Sequence, residues 1–159
     1  RRSGASVGSI YHHFGDKEGI ASALYLDLLR DYQAGVVAVL TGARDAERTV
    51  TGLVRHHLRW VEADPDRARF LLTGLPPRAA GSISEVNRDG LRATAEFLER
   101  GIDAGELADL PLDVFYAVLI GPAQEFCRHW LQGRMRTSLR AAERSLATAA
   151  WRALGAYGT

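Results

Sequence analysis

The spacing of apolar residues constrains the fold of this chain more than any other sequence feature. Apolar side chains recur three or four residues apart in one segment after another, which is the repeat of an amphipathic α-helix. Sustained alternation of apolar and polar residues, which indicates β-strands, does not occur. The sequence therefore predicts an all-α fold, and 159 residues that are 47% hydrophobic are enough for a packed core.

Capping residues and prolines divide this pattern into separate helices. Asp45 predicts one helix start and Asp64-Pro65 another, because aspartate accepts from free backbone amides and proline fits the first helical position. Helices are predicted over 6–13, 16–41, 45–61, 64–73, 84–102, 111–132 and 138–154, and a loop over 75–82. The buried stripe of the long helix over 16–41 is predicted to consist of Ile20, Leu24, Leu28, Tyr32, Val36 and Val39.

Composition excludes several classes of protein. A single cysteine, Cys127, rules out a disulfide scaffold and a multi-cysteine metal site. No apolar run approaches the roughly 18 residues of a membrane span, so we predict a cytoplasmic protein without a membrane partner. The net charge is only +1, so an affinity for nucleic acid would have to come from a local motif.

Such a motif occurs near the beginning of the sequence, in the stretch GASVGSIYHHFGDKE. Its central part is a short predicted helix in which Ile10 and Phe14, four residues apart, can pack one side against the core. A helix this short gains little stability from propensity, so its exposed polar side suits a helix that enters a groove. The side chains that could reach base edges or phosphate oxygens are Ser9, Tyr11 and His12.

The same stretch closely resembles the recognition helix and following turn of TetR-family transcriptional regulators. Their pattern is Gly-x-Ser-x-Gly-x-Ile/Leu-Tyr-x-His/Tyr-Phe-x-x-Lys-Glu, and every position is matched between Gly4 and Glu18. The resemblance implies a helix-turn-helix regulator, usually a homodimeric repressor, with an all-α ligand-binding domain. It also implies that the first helix of the DNA-binding head and most of the second precede Arg1, so that the head is truncated here.

The resemblance further assigns domains and DNA-binding residues. Residues 1–41 would be the remainder of the head, with the recognition helix at about 6–13 and a linking helix over 16–41, and 42–159 the ligand-binding and dimerisation domain. The linking helix would transmit the effect of a ligand to the head. Base-proximal positions would be Val7, Gly8, Ser9, Tyr11 and His12, and phosphate contacts would come from Tyr11, His13 and Lys17.

Polar and aromatic side chains on the helices that surround the family's pocket are candidate ligand contacts. A buried polar atom needs a hydrogen-bond partner, and a ligand can supply it. The candidates are His57, Trp60, Asn87, Phe97, Gln124, Glu125 and Phe126. An aromatic stripe at helical spacing also describes an ordinary core, and a neighbouring backbone carbonyl could satisfy His57 instead.

A homodimer is predicted through residues 111–133 and 138–155. The last helix contains small residues that would let two helices approach closely, in a bundle between two chains or inside one chain. These residues are Ala142, Ser145, Ala149, Ala150 and Ala153. Pro122 falls inside the preceding helix, where it would either open a cavity by kinking the helix or only bend it around its neighbours.

Catalytic, metal and cofactor sites are not predicted. Adjacent histidines on a helix point about 100° apart, so His12-His13 and His56-His57 are poor chelating pairs. A His-Glu-x-x-His motif and the glycine-rich nucleotide-binding motifs are missing from the sequence. The sequence therefore predicts a repressor, not an enzyme, that a small-molecule effector releases from a double-stranded DNA operator. The alternative is an all-α ligand-binding or interaction module without DNA binding.

Overall fold

The computed structural model of the chain describes residues 16–42 and 45–156. The predicted recognition helix over 6–13 lies outside the described residues, as do the predicted DNA contacts Val7, Gly8, Ser9, Tyr11, His12 and His13. The helices are α1 (Lys17–Gly42), α2 (Ala46–Ala63), α3 (Pro65–Thr73), α4 (Ile83–Asp103), α5 (Leu112–Leu131) and α6 (Leu139–Leu154), with a 3₁₀ helix over Pro77–Ser82. The described ranges form no strand, and the all-α prediction is confirmed.

The predicted helix starts at Asp45 and Asp64 have the expected capping geometry. The Asp45 carboxylate accepts the backbone N–H of Arg48 at 2.7 Å, and the Asp64 carboxylate accepts that of Arg67 at 3.1 Å. Each cap satisfies an amide that has no partner within its own helix. These starts are therefore local properties of the sequence.

Helix α2 forms the centre of a buried apolar core, which we call the scaffold core. It packs against α5 and α6. Its side chains at three- and four-residue spacing are fully buried there, because they form one face of the helix. The most deeply buried side chains of this core are Val50, Val54, Leu58, Val61, Phe115, Cys127, Leu139 and Leu154.

Helix α1 packs against α2, α4 and the 3₁₀ helix, and its buried stripe differs from the prediction. Leu28 and Tyr32 are buried as expected, but Leu24 is 50% exposed and Tyr25 is buried in its place. A stripe spaced strictly by four residues drifts around a helix of 3.6 residues per turn. The buried positions of α1 instead follow steps of three and four residues, as from Tyr25 to Leu28 and from Leu28 to Tyr32, and Leu24 lies outside this stripe.

The loop predicted over 75–82 is wrong from Pro77 onward, because Pro77–Ser82 form the 3₁₀ helix. The fixed backbone of Pro77 suits a first helical turn, and the Ala79 N–H donates to the Pro76 carbonyl at 2.9 Å. Ala79 is fully buried in a small cluster with Tyr25 and Leu29 of α1. Tertiary packing therefore orders a segment whose composition is typical of a loop.

The small residues of α6 lie on two faces. Ala142 and Ala150 are buried inside the protein, whereas Ser145, Ala149 and Ala153 line a shallow outer groove. Packing inside one chain, one of the two arrangements that the sequence leaves open, is thus observed for Ala142 and Ala150. Only the outer set belongs to a surface that another chain could contact.

Candidate ligand-binding site

The site lies where α1 crosses α2, and Tyr32 is at its centre. The Tyr32 ring contacts three ring side chains of α2. Its centroid lies 5.2 Å from that of His56, 5.8 Å from that of His57 and 5.4 Å from that of Trp60. Such edge and tilted ring contacts fix the position of the Tyr32 hydroxyl.

Tyr32 and His57 form a buried hydrogen-bonded pair. The Tyr32 hydroxyl lies 3.0 Å from His57 Nδ1, and His57 is only 2% exposed. Burial lowers the pKa of His57 to about 4 and raises the pKa of Tyr32, so both side chains are neutral near pH 7. His57 Nε2 is buried without a hydrogen-bond partner among the described residues.

His56, not His57, is satisfied by a backbone carbonyl. Its Nε2 atom lies 3.0 Å from the Tyr32 carbonyl oxygen. Burial lowers the pKa of His56, and the hydrogen bond to that carbonyl opposes the shift. The two adjacent histidines therefore differ, because one ring is held by the backbone and the other leaves a polar nitrogen without a partner.

A cavity of about 440 Å³, which we call the wide cavity, surrounds this pair. Side chains from α1, α2, α4 and α5 line it, and residues 71–75 at the end of α3 complete its wall. It falls within the usual size range for small-molecule sites. Four of the predicted ligand contacts meet here, namely His57, Trp60, Asn87 and Gln124.

A second cavity of about 170 Å³, the narrow cavity, adjoins the first. The two share Tyr32, Gln33, Asn87 and Tyr116 as lining residues. At this boundary Gln33 Nε2 donates to Asn87 Oδ1 at 2.8 Å, which joins α1 to α4. The remaining walls of the narrow cavity are mostly apolar, with Val36, Leu53, Leu91, Leu119 and Ile120.

Three predicted ligand contacts lie outside both cavities. Phe97 is buried against Phe115, with ring centroids 6.3 Å apart. Phe126 packs against the scaffold core. Glu125 is about half exposed and pairs on the surface with Arg128 at 2.6 Å and with His129 at 2.8 Å. Glu125 differs from Gln124 because neighbouring helical positions point about 100° apart.

Sequence reasoning missed Gln33 and the central role of Tyr32. Tyr32 was expected only as part of a buried stripe. Gln33 follows it directly on α1, where a polar side chain beside a buried aromatic residue could have indicated a cavity. Its partner Asn87 is 54 residues away, so the pairing depends on the tertiary arrangement of α1 and α4.

Formal charge is confined to the edge of the site. No lining residue of either cavity within the described part of the chain is Lys, Arg, Asp or Glu. At the edge, the Asp31 carboxylate accepts from Trp60 Nε1 at 2.9 Å. The cavities therefore offer neutral hydrogen-bonding groups and apolar surface.

The wall of the wide cavity is connected to the beginning of α1. Gly74 and Leu75 line the cavity and lead into the 3₁₀ helix, whose Arg78 pairs with Asp16 at 2.9 Å and with Glu18 at 3.8 Å. The Asp16 carboxylate also accepts the Gly19 N–H at 2.8 Å. This backbone hydrogen bond, together with the Arg78 charge, lowers the pKa of Asp16.

The described residues offer neither a cluster of metal ligands nor a membrane-spanning helix. Residues 16–42 and 45–156 contain no group of three or more His, Cys, Asp or Glu side chains that could hold a metal ion. None of the described helices is both long and apolar enough to cross a membrane.

Comparison with known proteins identifies the fold to which this arrangement belongs. No family model and no curated protein matches the sequence. Among solved structures, the fatty acid degradation regulator FadR from Bacillus halodurans matches with a TM-score of 0.75 and 22% identity, over 93% of this chain and 82% of that one. A TetR/AcrR-family regulator from Thermobifida fusca matches with a TM-score of 0.74 and 21% identity, over 93% and 80% of the two chains. The chain has the fold of TetR-family regulators.

A third similar structure contains a ligand. FadR from Bacillus subtilis, solved in complex with stearoyl-CoA, matches with a TM-score of 0.76 and 19% identity, over 92% of this chain and 81% of that one. The sequence-based resemblance to the TetR family is thus confirmed at the level of the fold. In this TetR-family fold, α1 forms one wall of both cavities.

Proposed function

We propose that this chain is a TetR-family regulator that binds an operator in double-stranded DNA and is released by a small molecule. The observation that carries this proposal is that α1 borders both the cavities and the proposed DNA-binding head. One part of the helix, which includes Tyr32 and Gln33, lines the cavities, and its first turn contains Lys17 and Glu18, the last residues of the stretch that resembles the TetR-family motif. A displacement of α1 by a ligand would therefore move the head.

The 3₁₀ helix supports the same coupling by a second route. A ligand in the wide cavity would press on residues 71–75, which lead into the 3₁₀ helix. Arg78 of that helix pairs with the carboxylates of Asp16 and Glu18 at the first turn of α1. A shift of the cavity wall would thus reach the residues next to the head. A coupling free energy of about 1–3 kcal/mol would change operator affinity roughly 5- to 150-fold.

The proposed DNA contacts follow the resemblance. Lys17 is exposed at the N-terminus of α1, where free backbone amides and an ammonium group favour a phosphate. Base contacts are proposed for Val7, Gly8, Ser9, Tyr11 and His12, and further phosphate contacts for Tyr11 and His13.

A homodimer through 111–133 and 138–155 would position two such heads. The outer groove of α6 presents Ser145, Ala149 and Ala153, small side chains that permit close approach of a second helix. Two-fold symmetry would set the recognition helices one DNA turn apart, about 34 Å. We also propose that the protein acts in the cytoplasm and catalyses no reaction.

The ligand is proposed to occupy the wide and narrow cavities. The complex of the Bacillus subtilis neighbour with stearoyl-CoA supports small-molecule binding by a protein of this fold. Here the proposed contacts are His57, Trp60, Asn87 and Gln124, together with Tyr32 and Gln33. Phe97, Glu125 and Phe126 are left out of this set because they line neither cavity.

Operator binding by the full-length protein tests the proposal. Duplexes selected from a random library would be titrated with wild type, Tyr11→Ala, Lys17→Ala and the control Arg30→Ala, which removes a surface cation paired with Asp27. Tyr11→Ala should weaken duplex binding by about tenfold or more. Lys17→Ala should reduce the slope of the logarithm of the binding constant against the logarithm of salt concentration by about 1, the contribution of one phosphate contact. Arg30→Ala should bind like wild type. Wild-type affinity in both test variants would contradict the proposal, and no selected duplex would favour the ligand-binding module without DNA binding.

A further inference from the structure

We infer that the cavities select an uncharged, elongated ligand whose polar end is a hydrogen-bond acceptor held by Nε2–H of His57. This inference rests on the proposed function, because it names the chemical class of the effector of that same site. Three observations on the described residues carry it: His57 Nε2 has no hydrogen-bond partner among them, none that lines either cavity is charged, and an apolar narrow cavity adjoins the wide one.

The pairing with Tyr32 determines which hydrogen-bonding group His57 offers. A phenol O–H is a strong donor, and a neutral imidazole nitrogen is a good acceptor. The 3.0 Å bond is therefore assigned as Tyr32 O–H donating to His57 Nδ1, which places the ring proton on Nε2. That N–H is a donor without an acceptor among the described residues. A carbonyl, ether or hydroxyl oxygen of a ligand would complete it.

The charges around the site disfavour ions of either sign. No described lining residue carries a formal charge that could compensate a buried carboxylate, phosphate or ammonium group. The Asp31 carboxylate, which accepts from Trp60 Nε1 at the edge of the wide cavity, would repel an anion. A cation would meet the Nε2–H donor of His57 without gaining an acceptor from it. An uncharged acceptor is the group that matches both features.

Because the two cavities adjoin, a molecule that fills both is elongated. The wide cavity holds His57, and the adjoining narrow cavity is walled mainly by aliphatic side chains such as Leu53 and Leu119. The hydrogen bond between Gln33 and Asn87 lies at their shared boundary. A polar end beside His57 would thus leave an alkyl chain to pass this boundary and bury its apolar surface in the narrow cavity.

Calorimetric titration of the full-length protein with three probes of similar length tests this class. Methyl octanoate carries an uncharged acceptor, octanoate a negative charge, and octylamine a positive charge at neutral pH. We expect methyl octanoate to bind on the order of a hundredfold more tightly than either ion, because the walls cannot compensate a buried charge. Equal or tighter binding of octanoate or octylamine would overturn the inference, as would the failure of all three to bind.

Two histidine variants test the assigned contact. His57→Phe removes the Nε2–H donor and should weaken methyl octanoate binding about tenfold. His129→Phe makes the same substitution on the surface, where His129 pairs with Glu125, and should leave the affinity unchanged. Unchanged affinity in a folded His57→Phe protein would overturn the role of His57. Should this variant fail to fold, the comparison of the three probes on wild type still decides the charge class.

These outcomes are separate from those of the operator experiment. Tighter binding of an ion would overturn the inferred ligand class, but it would not affect the proposal that the protein is a ligand-responsive regulator. Loss of duplex binding would instead refute the regulator and leave the calorimetric result standing. The two proposals can therefore fail independently.

Discussion

The two sides of α2 are packed in different ways. Towards α5 and α6, Val54 and Leu58 lie in the scaffold core, where apolar side chains are buried against one another. Towards α1, His57 and Trp60 lie against Tyr32 beside two cavities. One helix thus belongs both to a close-packed core and to a site with open volume, where a polar nitrogen has no hydrogen-bond partner among the described residues.

This difference indicates that one side of α2 contributes mainly to stability and the other mainly to ligand binding. Close-packed aliphatic side chains gain stability from burial and dispersion, and any loss of volume there is costly. Polar and aromatic side chains around a cavity give up part of that stability, but they leave groups that a ligand can satisfy. We therefore expect substitutions in the scaffold core to act on stability and those around the cavities to act mainly on ligand binding.

The largest expected contrast comes from two adjacent residues of α5. Phe115 is fully buried in the scaffold core, whereas Tyr116 is 42% exposed and lines both cavities. Phe115→Ala should lower the free energy of unfolding by about 3–5 kcal/mol, and Tyr116→Ala by roughly 1 kcal/mol. Urea denaturation at one fixed protein concentration measures both. Equal losses would remove the distinction between the two regions.

The second contrast concerns pH. Burial lowers the pKa of His57 to about 4 in the folded protein, whereas the ordinary histidine pKa of 6.5 applies in the unfolded state. Between these two pH values the unfolded state therefore binds more protons than the folded state. The free energy of unfolding should therefore fall as pH decreases from 6.5 to 4, by about 3 kcal/mol from His57. The lowered pKa of His56 contributes with the same sign.

Denaturation curves at several pH values check this dependence. His57→Gln should reduce the loss of stability on acidification, while the surface control His129→Gln should retain it. An identical pH dependence in wild type and His57→Gln would show that His57 is not held neutral by burial.

A third, smaller effect is expected at the boundary between the cavities. Gln33→Leu removes the donor to Asn87 and leaves that part-buried amide without its partner. The free energy of unfolding should fall by about 1 kcal/mol, because a polar group loses its hydrogen bond. Gln132→Leu, at the exposed end of α5, is the matched control and should change stability by less than about 0.5 kcal/mol. Equal effects would mean that the boundary contact contributes nothing specific.

The smallest effect on stability is expected at Arg78, where a surface ion pair is solvated. Arg78→Ala should leave the free energy of unfolding almost unchanged. It should accelerate hydrogen exchange of the first amides of α1, such as that of Gly19, because Asp16, which accepts this N–H, loses its ion pair with Arg78. Arg92→Ala, which removes a surface ion pair within α4, should not change that exchange. If both variants exchange alike at Gly19, the 3₁₀ helix does not hold the start of α1.

The sequence predicted those features of the fold that depend on neighbouring residues. The caps at Asp45 and Asp64 and the helical repeat of α2 involve residues within one or two turns, so the sequence pattern contains them directly. Leu24 was misplaced because its burial depends on the angle at which α4 and α2 meet α1. The 3₁₀ helix was missed because the burial of Ala79 by α1 orders it.

The candidate site was predicted only in part, for the same reason. His57 and Gln124 stood out as polar residues on apolar stripes, and the structure brings both to the wide cavity. Glu125 satisfied the same criterion, but one helical position turns it to the surface. The pairing of Gln33 with Asn87 required the relative placement of α1 and α4, which periodicity within one helix does not contain.

Xenon binding in a crystal tests the division between the two sides of α2 most directly, because xenon enters dry apolar volume whatever the chemistry of the natural ligand. Diffraction from a pressurised crystal of the full-length protein should show xenon in the narrow cavity beside Leu53 and Leu119. It should show none in the scaffold core among Val54, Leu58 and Phe115. Xenon inside the scaffold core, or an empty narrow cavity at saturating pressure, would contradict the account.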